Sequence, residues 1–273
     1  FGELSLPWLS APFAINILRF TTEIKQCIPF SPSCDCSYEL KITFCASGVI
    51  SPLLANLFLH YAFDRWIAEK YPQAPFERFA DDAIVHCRTE MQAQRIRKAI
   101  AARLKECGLE LHPEKTKVVY CKDDYRRRTY PDEKFDFLGY TFRPRRSKNR
   151  EGKHFINFSP AVSDKAVRAI RTEIRSWNLP LRSDKRIEDL SRMFNPVVRG
   201  WLQYYGQFYR SALYPPMRQL DRSLARWAYR KYKKLRGHLC RATHGIARLS
   251  RRDPKLWAHW QMGVRCGSMA GAV

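Results

Sequence analysis

Two carboxylates stand side by side at Asp81 and Asp82, between an aromatic segment that begins at Phe76 and the β-branched pair Ile84-Val85. Such flanks predict a hairpin whose turn presents both carboxylates at one edge of a sheet. Hard oxygen ligands suit Mg²⁺, which needs only one or two carboxylates plus substrate phosphates. Two such ions about 4 Å apart would align an attacking hydroxyl and a leaving pyrophosphate. The plain alternative is an acidic turn, which Asp favours through its own backbone hydrogen bonding.

A second set of residues is basic. Arg218, Arg222, Arg226 and Arg230 recur every four residues and form a slowly turning stripe on one helical face, with Leu220, Leu224 and Trp227 on another. Lys231, Lys233, Lys234 and Arg236 extend the stripe, and only Asp221 lies close enough in sequence to offset it. The stripe reads as a surface for nucleic-acid backbone, with a solvated helix face as the alternative.

Composition points the same way. The 273 residues carry a net charge of +23 and a 45% hydrophobic content, which together imply a packed protein with a polyanionic partner. The charge is uneven. Arg143 to Gly263 holds 29 Lys/Arg against 8 Asp/Glu, whereas Phe1 to Ala46 holds 3 against 4. Nine cysteines at irregular spacing make no disulfide framework, and Cys34-Asp35-Cys36 is too tight for a zinc knuckle. Reduced thiols and an intracellular setting, cytoplasmic or organellar, are expected. There is no apolar run long enough for a membrane span and no signal-peptide pattern.

The elements that must position these groups can be read in order. Pro7, Pro12, Pro29 and Pro32 interrupt the first 46 residues, and no strand or helix period persists there. Ser51 as cap and Pro52 in the first turn predict a helix to about Tyr71, with Leu53, Leu54, Leu57, Tyr61 and Trp66 on its apolar side. Thr89 with Gln92 makes a capping box for a helix to Cys107. Its stripe is Ala93, Ile96, Ile100 and Leu104, and Gly108 stops it. Strands are expected at 109–111, 117–120 and 135–142, with a bend or close approach at Gly139. Beyond Arg143 the pattern is helical and basic, with helices near 163–177, 185–211 and 216–236. Val198, Trp201, Tyr205 and Phe208 recur at helical spacing and read as core.

Four blocks in order resemble the palm of a group II intron reverse transcriptase/maturase. Gly48-Val49-Ile50-Ser51-Pro52-Leu53-Leu54-Ala55-Asn56 resembles the block after the template-facing loop. Pro75 to Cys87 contains Phe79-Ala80-Asp81-Asp82 and resembles the active-site hairpin. Gly108 to Lys117 resembles the next palm block, and Phe135 to Phe142 the strand that grips the primer end. Asn195-Pro196-Val197-Val198-Arg199-Gly200-Trp201-Leu202-Gln203-Tyr204-Tyr205-Gly206 resembles the maturase-specific region after the thumb.

The resemblance implies an RNA-directed DNA polymerase and an intron-splicing and mobility factor. It implies Asp81 and Asp82 as catalytic and metal residues, with two Mg²⁺ ions. Phe79, Ala80, Lys115, Lys117, Leu138 and Gly139 would face nucleotide or primer, while His112 is structural. Arg199, Arg218, Arg222, Arg226, Arg230, Lys231, Lys233 and Lys234 would meet intron RNA, and a DNA primer or target is a further partner.

The resemblance also exposes gaps. The family's third metal-binding Asp belongs to an earlier strand, and Glu3, Glu23, Asp35 and Glu39 lack its aromatic setting. The Gln expected ahead of Val49 is Ala46, no fingers region is seen, and neither are the Cys pairs of an appended endonuclease. An N-terminally truncated copy, deficient in polymerisation alone, is the expectation. A non-catalytic splicing cofactor and a gene remnant stand as alternatives.

The expected fold is α+β: a partial right-hand palm followed by an all-α basic thumb and maturase region. The expected divisions are 1–47 unmatched, 48–142 palm, 143–263 thumb and maturase region, and 264–273 tail.

Overall fold

In the computed structural model the strand that completes the main sheet comes from the N-terminal segment. The structure describes residues 12–18, 20–21, 51–126, 128–149 and 151–264. The chain divides into two units, residues 1–135 with 143–158, and residues 136–142 with 159–273.

In the first unit, strands β1 (Phe13–Leu18), β3 (Phe76–Phe79), β4 (Asp82–Cys87) and β6 (Lys117–Tyr120) form a sheet of order β3-β4-β1-β6. Short β2 (Phe20–Thr21) pairs with β5 (Glu110–Leu111). β1 is antiparallel to both its neighbours, with Ile15 opposite Val85 on one side and Val118 on the other. The sheet therefore needs β1 as its bridge, where the sequence had shown no persistent strand pattern. Phe13, Ala14 and Ile15 are all buried. A central strand covered on both faces reads as a short continuous apolar run, so the alternation that betrays a half-exposed strand is missing.

Helices α1 (Ser51–Leu59), α2 (Trp66–Lys70) and α3 (Glu90–Glu106) join this core. In α3 the Thr89 side chain accepts from Gln92 N, Ala93, Ile96, Ile100 and Leu104 are buried, and Gly108 adopts φ +73° just beyond its end, all as expected. The first helix differs. A π-helical turn, His60–Arg65, separates α1 from α2. The buried face is Leu59, Ala62, Phe63 and Ile67, while Leu53, Leu54, Leu57 and Tyr61 are exposed. Apolar residues run almost all round this helix, so spacing alone could not choose the inward face.

Residues 135–142 are two strands and a turn: β7 (Phe135–Phe137) and β8 (Tyr140–Lys148), followed by β9 (His154–Val162) in a sheet of order β7-β8-β9. The expected α+β class stands. Its helical part begins at Asp164, about twenty residues after the shift in charge, because β8 continues to Lys148 and β9 runs from His154 to Val162.

The second unit holds α4 (Asp164–Ser176), α5 (Ile187–Tyr205), α6 (Tyr214–Lys231), α7 (Leu239–Arg252) and α8 (Ala258–Gln261). The first three match the expected helices and the last two were not foreseen. Ser163 caps α4 by accepting from Ala166 N. Trp177 stacks on Phe194 at 4.4 Å and on Trp201 at 5.5 Å between ring centres. Val198 is fully buried and Trp201 and Tyr205 are packed against the core, but Phe208 lies beyond the end of α5 and is exposed. Among the described residues no helix is long and apolar enough to cross a membrane.

Candidate active-site hairpin and basic helices

β3 and β4 are joined by a two-residue turn, Ala80-Asp81, with Phe79 paired to Asp82. The adjacent carboxylates thus sit where their flanks predicted: Asp81 exposed on the turn, Asp82 half-buried as the first residue of β4. Ala80 holds φ +52°, which costs roughly 1–2 kcal/mol for a residue with a Cβ. Arg78 offsets that strain. Its Nη1 donates to Ala80 O at 2.8 Å and to Asn56 Oδ1 at 3.0 Å. Its Nε and Nη2 donate to the two carboxylate oxygens of Asp64, each at 2.7 Å. A planar guanidinium suits this bidentate pairing, which ties the turn to α1 and to the π-helical turn that carries Asp64. Arg78 and Asp64 escaped the sequence reading, and Asn56 entered it only as the end of a family block, because the partners in this fork lie 14 to 22 residues apart.

The strand beside β4 is the place from which a third carboxylate would come. Leu18 lies opposite Asp82, Ile17 opposite Ala83 and Asn16 opposite Ile84. β1 has no acidic residue, and Glu3, Glu23, Asp35 and Glu39 lie outside the described residues. Among the described residues no group of three His, Cys, Asp or Glu side chains could hold a metal ion. Asp81 and Asp82 are hard donors in the right order, but they do not make up the full donor set of a two-ion site.

The other expected nucleotide and primer residues fall into two groups. In the first unit Phe79 is largely exposed beside the turn, Lys115 is half-buried, and Lys117 pairs with Asp132 at 3.0 Å. His112 Nδ1 is buried without a hydrogen-bond partner. In the second unit Leu138 and Gly139 form the β7–β8 turn, with φ +50° and +78°. Positive φ at both central positions is the signature of a tight I′ hairpin turn. Tyr204 Oη donates to Leu138 O at 2.9 Å, Tyr140 donates to Tyr204 O, and Gly139 O accepts from Ser163 N at 2.9 Å. A Cβ at Gly139 would stand 3.0 Å from the Tyr205 hydroxyl, so the close approach expected there is present. Burial pushes the Tyr140 phenol up to about 12, with Tyr204 and Tyr205 adding to it.

The basic set is presented mainly by α6. Arg222, Arg226 and Arg230 are exposed and Arg218 is half-buried, opposite a buried face that includes Leu220, Leu224 and Trp227. Arg199 on α5 and Lys233 and Lys234 after α6 are exposed. Lys231 is anchored instead: its ammonium donates to Ser183 O at 2.9 Å and Lys185 O at 2.6 Å and lies over the Trp227 ring. Asp221 does not offset the stripe. It is fully buried, and its Oδ1 is 2.9 Å from His259 Nε2 and accepts from Trp260 Nε1 at 2.8 Å. Asn195 makes a second inward clamp, with Nδ2 donating to Leu256 O at 2.9 Å and Oδ1 accepting from Ala258 N at 3.0 Å. No sequence pattern pointed to these two residues as clamps.

Two family models match the chain. "Reverse transcriptase (RNA-dependent DNA polymerase)" covers residues 16–142, starting within β1, and "Group II intron, maturase-specific domain" covers residues 167–243, from α4 into α7. Comparison with curated proteins gave no match. A reverse-transcriptase region followed in the same chain by a maturase-specific domain settles its kinship: the protein belongs to the group II intron reverse transcriptase/maturase family.

Proposed function

We propose that this chain serves as an intron-RNA-binding maturase, gripping phosphates along α6, and that its palm does not extend a primer unaided. The observation that carries the reading is the outward arginine row on α6, whose one nearby acid, Asp221, is turned into the core. Phosphate contacts of this kind release counterions, so affinity should fall with salt at a log–log slope of about −0.7 to −0.9 per contact. Intron RNA would be held by shape and backbone more than by base edges. The setting would be intracellular, and the described cysteines are free thiols. Titration of structured intron-like RNA at several salt concentrations tests this. Arg222→Gln, Arg226→Gln and Arg230→Gln together should flatten the slope by about two to three. An unchanged slope in a folded triple variant returns the stripe to a solvated face.

Polymerisation is the second reading, favoured by the well-held Asp81-Asp82 hairpin. Reverse transcriptases are divalent-metal-dependent as a family, and Asp81 and Asp82 would be this chain's contribution to holding Mg²⁺ near a DNA primer. The carboxylate set, incomplete among the described residues, argues against turnover. No primer extension on an RNA template with Mg²⁺ is expected, and extension that disappears in Asp81→Ala would reinstate the polymerase.

A further inference from the structure

A cavity of about 500 Å³ opens between the end of α6 and one face of α7. Its floor is apolar, with Trp227 and Ile246 buried and Leu249 half-buried, and Tyr232 stands half-open at its side. Trp227 is fixed in place, donating through Nε1 to Arg182 O at 2.9 Å, with the Tyr232 ring edge-on at 6.0 Å. Arg248 and Arg252 also line the cavity, are exposed, and pair with no carboxylate among the described residues. Gly245 lies within α7 and lines the same space, and a Cβ built there meets nothing within 4 Å. Glycine is a poor residue for a helix interior, and here no close neighbour requires it. What its missing side chain leaves is room.

An apolar, aromatic-walled space of this size with cations at its mouth suits a flat heteroaromatic ring carrying an anion. The surroundings narrow the choice. From Arg222 to Arg252 there are eleven Lys/Arg and no Asp/Glu, so the approach is cationic throughout. We propose that this cavity receives one unpaired nucleobase of the bound RNA, stacked by Tyr232, with its phosphate held by Arg248 and Arg252. The inference rests on the RNA-binding reading above and adds to it a contact that depends on an extruded base. Stacking of one base is commonly worth about tenfold or more in affinity.

The test uses the full chain and two RNA hairpins of equal length, one with a single bulged adenosine and one with an abasic residue at that position. The wild-type chain should bind the bulged adenosine about tenfold more tightly. Gly245→Met projects a flexible apolar chain from α7 into the part of the cavity where the base would lie and removes the helix-interior glycine, so the fold should hold. That variant should bind both RNAs alike, at the affinity of the abasic one, whereas Gly245→Ala leaves room and should keep the preference. Equal wild-type affinity for the two RNAs, or a preference that survives Gly245→Met, overturns the base site and leaves the arginine stripe standing. Failure of both RNAs to bind overturns the stripe reading and the base site with it.

Discussion

The two units use buried polar groups for different ends. In the first, the Arg78–Asp64 fork lies near the surface, with side chains 10% and 19% exposed, and it holds a strained turn that displays two carboxylates. In the second, Asp221 and His259 are wholly enclosed and fasten the segment around α8 against α6. One device aims a site and the other assembles a platform. The palm can keep its aiming device while β1 supplies no third carboxylate, because β1 joins the sheet through its backbone ladders to β4 and β6 and through buried Phe13, Ala14 and Ile15. On the RNA-binding proposal the basic platform would have no comparable single point of chemical failure, since its contacts with a polyanion would be many and alike.

The sharpest way to break this comparison is through the enclosed clamp. Asp221→Ala would leave His259 and Trp260 facing a cavity with no acceptor. Leaving a buried donor without its acceptor typically costs about 1–3 kcal/mol, and two donors lose theirs here. Urea unfolding followed by tryptophan fluorescence should show a large loss, smaller for Asp221→Asn, which keeps an acceptor oxygen. Asp81→Ala on the exposed turn should change stability by under about 0.5 kcal/mol. A loss of less than about 1 kcal/mol for Asp221→Ala would show that the clamp is not what secures α8.

The next effect is local. Arg78→Met keeps an apolar stem but removes every donor of the fork, leaving Asp64, among the described residues, with only the His60 ring, 3.5 Å from its Oδ2, and removing the Arg78 bond to Ala80 O. The expected loss is about 1–3 kcal/mol, concentrated in the hairpin. Amide exchange should accelerate in β3, the turn and α1, with α5 and α6 unchanged. Uniform acceleration across both units would mean that the fork supports the whole fold and does not merely aim the hairpin.

How much of this could be read in advance follows from the physics of each element. α3 was legible to within one residue at its end because its cap, stripe and stop signal agree, although Gln92 Oε1 accepts from Arg88 N and not from Thr89 N as a full capping box would have it. The Asp81-Asp82 hairpin was legible because two polar residues interrupt an otherwise β-prone segment. β1 was hidden by being central and doubly covered, and the buried face of α1 by an excess of apolar residues. The Leu138-Gly139 turn gave half a signal, since Gly marks positive φ and Leu does not. β8 beyond Phe142 was masked by its basic composition, which reports on partners and not on backbone, whereas β9 has no Lys or Arg and was lost in the helical reading given to the whole region after Arg143. The Arg78 fork and the Asn195 and Asp221 clamps depend on partners distant in sequence.

The smallest effect separates the units by their response to alkali. In the first unit, burial pushes the thiols of Cys87 and Cys121 up from 9.0 to about 12. In the second, burial raises the phenol of Tyr140 from 10.0 to about 12 and that of Tyr205 in the same direction. All four groups are neutral when protonated, and the folded state holds their protons more tightly than the unfolded chain does. Their contribution is therefore fully present below the unfolded value and is lost as pH rises toward the folded one. The loss should begin near pH 9 for the thiols and near pH 10 for the phenols. Amide exchange, corrected for its intrinsic pH dependence, should show β4 losing protection before α5 does. Cys87→Ala with Cys121→Ala should remove the early onset in β4, at some loss of packing. At pH 8 an alkylating reagent should reach exposed Cys240 readily and spare Cys87 and Cys121. If β4 and α5 lose protection together in the wild-type chain, the two units unfold as one, and the separate roles argued for their buried polar groups must be given up.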